Sequence, residues 1–478
     1  MTPTPSITTR LDSGRLRAAG LALAVLLGEL VLAGAVVEPG LSKLLVLLAA
    51  MAGLTFAFVL PFATACIFLA LGASVLYDSY FTFRVGVQFT LPQVVLAALL
   101  LVALVRPRRE TWGGAAGGAL LAFLGVIVVA TFTAVSAGRV DLHTAVNSAR
   151  PFFLLSFYWV VVRLFPEPER ARNLLVAAAV LAAGTGVVEF ATSVAGSVSS
   201  PLQDPGRQLI TDNAGLGGLL RVRLPGVALA YGLFWWIASQ ALVDGRRKTL
   251  WSLALAATTV CIVISFNRNM WVGLVLGLAL VIVAAGERTR RRLTAALVAA
   301  TAGIALLVIA GPQVVGPTSA LAPLIQRGST LLSPGRELQD SSLQSRGHET
   351  TVAWQAVRHK LGLGLGPGAE FGVFYNENLG GGRYQRVSQT FLHNQYLFLV
   401  VTGGVGALIA LLAYLVSVLR TAWRARRRDA AFGTLLTGVV MTMLSAVVML
   451  SFTDPAFLVL LALVGGVVGV FAAAEEPA

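Results

Sequence analysis

Residues 394–419 read NQYLFLVVTGGVGALIALLAYLVSVL and carry no charged side chain. A helix crosses the hydrocarbon core of a membrane with about 20 consecutive, mostly apolar residues, so this stretch predicts a transmembrane helix. The rest of the chain is similar in character, because 56% of the 478 residues are hydrophobic and only 12% are charged. An average soluble domain has about 25% charged residues. The composition therefore excludes a soluble cytosolic enzyme, a disordered chain and a disulfide scaffold, and leaves a polytopic membrane protein.

Apolar runs of this kind recur along the chain and predict an all-α polytopic membrane protein with about 12–14 transmembrane helices. The candidate spans lie near residues 18–37, 41–60, 62–77, 91–105, 113–135, 151–165, 173–195, 225–243, 249–266, 270–286, 293–311, 394–419, 431–451 and 456–473. The stretch 41–77 bends at Pro61 and forms either two short spans or a hairpin, which leaves the number of helices there open.

The arginines predict the side of the membrane that each connection faces. Basic groups precede the first span and follow every second span thereafter. Because short cytoplasmic loops are enriched in Lys and Arg, we expect these connections and both termini to be cytoplasmic. The net charge of +14 then reflects topology and contact with membrane lipids, and no nucleic-acid-binding motif is present in the sequence.

This alternation predicts five consecutive regions. They are a cytoplasmic tail, transmembrane helices joined by short loops, one large extracytoplasmic loop, C-terminal transmembrane helices and a second cytoplasmic tail, at residues 1–17, 18–311, 312–393, 394–473 and 474–478.

The large loop has the composition of an ordered region, and a loop of this length is usually functional or disordered. Its segment HETTVAWQAVRHKL (348–361) predicts a short helix lying on the outer membrane surface, and the glycine series GLGLGPG (362–368) follows and would end it.

Several arginines stand at the outer ends of predicted spans. Arg268 lies in SFNRNMWVG between two apolar runs, Arg221 and Arg223 lie in GLLRVRLPGVAL, and Arg150 lies in NSARPFF. Such a residue is either a boundary arginine that extends to the headgroups or a cation at the mouth of a cavity. Guanidinium groups stay charged and donate bidentate hydrogen bonds, which suits a lipid-linked diphosphate.

The sequence contains no HExxH motif, no CxxC pair, no close set of outer carboxylates and no P-loop. We therefore expect neither a metal ion nor a nucleotide cofactor. Glu29 and Glu189 fall inside predicted spans, where they serve either as proton-relay groups or as structural carboxyls.

The histidines are the remaining candidates for proton transfer near neutral pH. His143, His348, His359 and His393 all fall on the outer side in this topology. His393 lies where the large loop enters a span, a position suited to a lipid-borne substrate. It is either a general base or a capping or packing histidine.

These motifs together resemble the C-terminal core of the O-antigen ligase and O-antigen polymerase superfamily. The resemblance rests on their order, namely Ser345-Arg346, Trp354, GLGLGPG at 362–368, His393-Asn394 and GGVG at 403–406. Upstream, Asn267-Arg268-Asn269 is similar to a short turn of that family, and the family's preceding arginine corresponds to Arg221 or Arg223.

The resemblance implies an inverting, metal-independent glycosyltransferase of GT-C-like architecture in the bacterial cytoplasmic membrane, acting in cell-surface polysaccharide or lipopolysaccharide biosynthesis. It would move a glycan from an undecaprenyl (polyprenyl) diphosphate carrier to an acceptor hydroxyl, on a glycan or a lipid, at the outer face. His393 would be the general base, and the diphosphate-binding residues would be Arg223, Arg268, Arg221 and Arg346. The supporting residues would be Arg150, His348, Glu349 and Asn394.

Two other classes of function remain open from the sequence. One is a transporter or flippase of a lipid-linked or anionic solute, using the same arginines, and the other is a structural assembly protein. The sequence also does not distinguish a ligase from a polymerase, because the two share their donor and core motifs.

Overall fold

The computed structural model describes most of the predicted membrane region and the second half of the large loop. The described residues are 53–73, 82–85, 87–105, 114–195, 226–243, 247–265, 267–284, 287, 291, 294–295, 341–380, 383–426, 429, 431–447 and 454–474. The candidate span at 18–37, all of the span at 293–311 except residues 294–295, and Arg221 and Arg223 lie outside this part of the chain.

The described part is almost entirely helical. Residues 53–59 are helical and lead into the helix that begins at Pro61. The helices are α1 (Pro61–Ala73), α2 (Leu91–Val105), α3 (Gly114–Ser136), α4 (Leu142–Ala149), α5 (Phe157–Leu164), α6 (Pro168–Ala195), α7 (Val227–Val243), α8 (Lys248–Ile264), α9 (Arg268–Ala284), α10 (Ser341–Val357), α11 (Gln395–Ala425), α12 (Ala431–Ser445) and α13 (Pro455–Ala473). A 3-10 helix, Arg150–Ser156, joins α4 to α5.

Within the described residues, five helical stretches are long and apolar enough to cross a membrane, and six shorter apolar helices accompany them. The long ones are Gly114–Ser136, Leu142–Leu164, Pro168–Ala191, Gln395–Ala425 and Pro455–Ala473. The protein is therefore an all-α, multi-pass membrane protein, as the composition predicts.

Helix α13 forms the centre of the bundle. Its residues are apolar around the whole circumference, and nearly all of them are buried. A helix with this pattern belongs in the interior, because it has no polar face to turn outward. It packs against α5, α6, α7, α11 and the 3-10 helix.

Two antiparallel β-hairpins lie outside the helices. The first pairs β1 (Thr82–Val85) with β2 (Val87–Thr90), and the second pairs β3 (Phe374–Gly380) with β4 (Arg383–Ser388). The second hairpin lies in the large loop, for which the sequence predicts only short helices. The segments FYNENLG and RYQRVS pair as two antiparallel strands, with successive side chains on opposite faces. The expectation of helices alone in this loop missed this pairing.

Two boundaries also differ from the expected ones. The helix expected at 348–361 runs from Ser341 to Val357, so His348 lies within it rather than at its start. The connection expected at 136–150 is shorter, because α4 occupies most of it, with Asp141 accepting a hydrogen bond from the amide of Thr144 as its N-cap.

Candidate functional site

The structure pairs His393 with Glu349. The Nδ1 atom of His393 lies 2.9 Å from Oε2 of Glu349, although 44 residues separate them in the chain. The carboxylate side chain is only 7% exposed, whereas the imidazole is 29% exposed. Glu349 is therefore the buried member of the pair, and the imidazole of His393 is the accessible member.

His393 is held at the entrance of α11 by its neighbours. Asn394 is the N-cap of this helix, and its side chain accepts a hydrogen bond from the amide of Leu397 at 3.2 Å. The amide of Gln395 donates to the carbonyl of Ala446 at 2.9 Å, just past the end of α12. These bonds fix the backbone that carries the imidazole.

Glu349 lies on the buried face of α10. Ala353 and Val357, one and two turns further along that face, are completely buried. Burial by itself raises the pKa of Glu349, but hydrogen bonds with His393 and Gln389 and the charge of His393 outweigh it and hold the pKa below its usual value. Glu349 is therefore a carboxylate at neutral pH.

This ionisation state determines which nitrogen of His393 carries the proton. A carboxylate can only accept hydrogen bonds, so Nδ1 of His393 must be the donor in the pair. In a neutral imidazole, Nε2 then carries the lone pair. The arrangement gives a base whose ring is oriented by a buried carboxylate, the same logic as in a base held by an acidic partner in hydrolases.

The glycine series 362–368 docks against a break in α11. Gly404 has a φ of 71° inside this helix, a left-handed conformation that favours glycine. Across the break, the amide of Leu365 donates to the carbonyl of Val401 at 2.7 Å, and the amide of Val405 donates to the carbonyl of Leu361 at 2.8 Å. The loop thus satisfies backbone groups that the broken helix leaves open.

The close approach requires glycine on both sides. A Cβ atom on Gly364 would overlap the carbonyl oxygens of Val400 and Val401, and one on Gly404 would overlap the carbonyl of Gly362. Arg139, at the end of α3, adds a hydrogen bond from Nη1 to the carbonyl of Gly364 at 3.4 Å. This docking attaches the large loop, and with it α10 and Glu349, to the membrane helices.

The structure describes two of the predicted arginines, Arg346 and Arg150, in full. Arg346 lies one helical turn before Glu349 in α10 and is partly buried. Arg150 begins the 3-10 helix, in which Phe152 stacks on Phe398 of the first turn of α11, with ring centroids 6.5 Å apart.

Arg268 begins α9, and Asn267 precedes it as part of a tight turn, with its side chain accepting from the amide of Asn269 at 3.2 Å. Further into α9, Gly273 packs against the hydroxyl of Tyr231, which hydrogen bonds with Ser445 at the end of α12. The start of α9 and the start of α11 therefore lie at the same end of the bundle. The side chain of Arg268, like the whole of Arg221 and Arg223, lies outside the described part of the chain.

The other histidines stand apart from the pair. His348 and His359 are exposed, and His143 is exposed with a hydrogen bond to Asn147 at 3.2 Å. Within the described residues, no group of three or more His, Cys, Asp and Glu side chains is arranged to hold a metal ion.

Sequence reasoning named Glu349 only as a supporting residue and did not foresee its bond to His393. It also overlooked Arg139 and Gln389. The one available signal for the pairing was that a carboxylate and a histidine occur in the same long loop, which does not by itself specify contact.

The described fold and site define a multi-pass membrane protein with a carboxylate-oriented histidine at one end of its helix bundle. Residues 253–412 match the protein-family model for O-antigen ligase, and this segment contains α9, the glycine loop and His393. This match over about a third of the chain supports the resemblance to the O-antigen ligase and polymerase superfamily that the motifs indicate. No curated protein matches the chain.

Proposed function

We propose that the protein is an inverting, metal-independent glycosyltransferase that moves a glycan from a polyprenyl diphosphate carrier to an acceptor hydroxyl at the outer face of the cytoplasmic membrane. The family match supports a membrane role in glycan transfer for polysaccharide biosynthesis. The observation that carries the proposal is the His393–Glu349 pair, which supplies an oriented base at a helix entrance.

In the proposed reaction, Nε2 of His393 takes the proton of the acceptor hydroxyl as its oxygen attacks the anomeric carbon of the glycan. The new carbon–oxygen bond forms while the bond from that carbon to the diphosphate oxygen breaks. The diphosphate leaves with the electron pair on the lipid carrier, so the anomeric configuration inverts. Glu349 stabilises the imidazolium that forms, and a positioned base of this kind supplies about 10²–10⁴-fold in rate.

The departing diphosphate gains negative charge, which guanidinium groups can stabilise. In this proposal, Arg268 and Arg223 bind the diphosphate, with Arg221 and Arg346 assisting and Arg150 and His348 as supporting residues. A diphosphate is already a good leaving group, so the reaction needs no separate general acid.

The sequence of α11 supports a position for His393 at the height of the lipid headgroups. The helix has 31 residues on the two sides of its break at Gly404, more than the about 20 residues that cross the hydrocarbon core. Arg420 is its first charged residue, and counting about 20 residues back from there reaches Val400. His393 then lies about 10 Å above the core, at the height of lipid headgroups and of a lipid-linked diphosphate.

The proposal is tested with purified protein in liposomes, a lipid-linked glycan donor and an acceptor. We expect His393→Ala to lower the transfer rate by about 10²–10⁴-fold and Arg268→Ala to lower it strongly, while His143→Ala stays at the wild-type rate. Wild-type activity in both of the first two variants would overturn the assignment.

The same assay separates an enzyme from a transporter. Transfer releases the free polyprenyl diphosphate, whereas a transporter would move the donor without breaking a bond. Transfer that persists in EDTA is the expected result, and loss of transfer that added metal restores would contradict the metal-independent mechanism.

A further inference from the structure

The turn at Leu361–Leu363 lies beside the part of α11 that crosses the membrane. Its anchor is the hydrogen bond from the amide of Val405 to the carbonyl of Leu361, at 2.8 Å. Val405 stands only five residues beyond Val400, with the break at Gly404 between them, so the turn lies close to the outer boundary of the hydrocarbon core. The large loop therefore descends below the helix ends at this point.

Irregular backbone at this depth is tolerated only where its polar groups are satisfied. The break at Gly404 meets that condition, because the backbone groups of α11 and of the glycine loop bond to one another. Residues 364–369 are buried in the protein accordingly. The turn before them is not buried, although it carries two leucines.

The leucines continue an exposed apolar surface of α11. Leu361 and Leu363 are each 36% exposed, and Val405 and Ile409 on the adjoining helix face are 37% and 61% exposed. A spanning helix turns such residues toward lipid chains. The leucines of the turn are continuous with this surface through the bond at Val405.

The residues just above the turn are cationic. Arg358 and Lys360 are both exposed, and the stretch 350–369 contains no Asp or Glu. Basic groups directly above an inserted apolar segment attract anionic headgroups.

We propose that residues 358–363 form a membrane-inserted turn that binds an anionic phospholipid of the outer leaflet. Leu361 and Leu363 contact its acyl chains next to Val405 and Ile409, and Arg358 and Lys360 bind its phosphate. This lipid contact anchors the large loop to the bilayer, and it is independent of the proposed transfer reaction.

The test places an environment-sensitive fluorophore on a single cysteine, Leu363→Cys, in a chain whose Cys66 and Cys261 are replaced by alanine. The labelled protein is reconstituted in nanodiscs and exposed either to aqueous iodide or to phospholipid with a nitroxide on its acyl chain. Ile409→Cys is the lipid-facing control, and Thr351→Cys, on the exposed face of α10, is the aqueous control.

We expect the nitroxide lipid to quench Leu363→Cys nearly as strongly as Ile409→Cys, with little quenching by iodide. Nitroxide-labelled phosphatidylglycerol should quench the fluorophore more than the phosphatidylcholine analogue does. In the double variant Arg358→Gln and Lys360→Gln, the two lipids should quench it equally.

Three outcomes would overturn the proposal: iodide quenching equal to that of Thr351→Cys, no access for either quencher because protein covers the turn, or a headgroup preference unchanged in the double variant. The fluorescence measurements need no donor or acceptor. Failure of the transfer assay and failure of the lipid contact are therefore distinguishable.

Discussion

At the scale of single residues, the buried partner of His393 explains how a lone imidazole would act as an oriented base in the proposed reaction. The 2.9 Å contact with Glu349 holds the ring, and the depressed pKa of Glu349 keeps the partner ionised at neutral pH. In the proposed reaction, Glu349 acts only through His393, which makes it a positioning residue. Its role differs from that of Asn394, which caps α11 and holds the backbone.

The first prediction concerns the charge of this partner. Glu349→Gln keeps the size of the side chain but cannot stabilise the imidazolium, so kcat should fall by about 10²-fold, within the range that a positioned base supplies. The KM for the donor should change little, and Glu349→Asp should restore part of kcat. Steady-state transfer kinetics measure this split, and a rise in KM at constant kcat would point to a binding role instead.

The second prediction concerns stability at low pH. The pKa of Glu349 is lower in the folded protein than its ordinary value in an unfolded chain. The carboxylate therefore stabilises the fold above about pH 4.3, and this contribution is lost as the pH falls through the folded-state pKa.

We expect the Tm of the wild type to fall more steeply between neutral pH and about pH 3 than that of Glu349→Gln. Thermal unfolding in detergent measures the difference. Glu370→Gln, at an exposed carboxylate, should keep the wild-type slope, and identical slopes in all three proteins would refute the assignment.

At the scale of elements, α11 and the glycine loop are complementary parts of one structure. A broken membrane helix exposes backbone groups that hydrocarbon cannot hydrogen bond. The loop supplies these partners, and glycines at 364 and 404 allow the two backbones to approach. The GGVG run is therefore a docking site for the loop and not merely a small-residue stretch of a span.

The third prediction tests this complementarity. Gly404→Ala and Gly364→Ala should each cost about 1–3 kcal/mol in the free energy of unfolding, because the added methyl group meets backbone at a positive φ. Denaturation in detergent measures the cost.

Gly406→Ala is the matched control, since its Cβ would make only an ordinary contact with Val126 at 3.8 Å. Equal stability of Gly404→Ala and Gly406→Ala would argue against the docked break.

At the scale of the whole molecule, the two ends of the bundle differ in chemistry. At one end, Arg172 near the start of α6 donates to Gln240 near the end of α7 at 3.1 Å. The opposite end holds the His393–Glu349 pair, the start of α9 and the short connection between α3 and α4. Together with the basic connections, this separation supports an outward-facing site.

The fourth prediction tests that orientation with single cysteines in the chain lacking Cys66 and Cys261. A membrane-impermeant maleimide should label His143→Cys in intact spheroplasts, because this position is exposed at the His393 end. Thr249→Cys, exposed at the basic end, should be labelled only after permeabilisation. The reverse pattern would place the site in the cytoplasm.

Much of the membrane architecture was predictable from local sequence. The spans predicted at 113–135 and 456–473 coincide within one residue with α3 and α13, because a membrane requires satisfied backbone over the whole thickness. The second hairpin and the start of α10 were not predicted. Both lie in the polar loop, where no hydrophobic period separates strand from helix.

The sequence by itself determined that the chain is a helical membrane protein, that His393 stands at a span entrance, and which family its motifs resemble, because these depend on composition and on residues close together in the chain. Only the tertiary structure decided that Glu349 is the partner of His393 and that the glycine loop fills the break at Gly404. Both are contacts between distant segments, and their geometry depends on how the large loop packs against the helices, which no local pattern encodes.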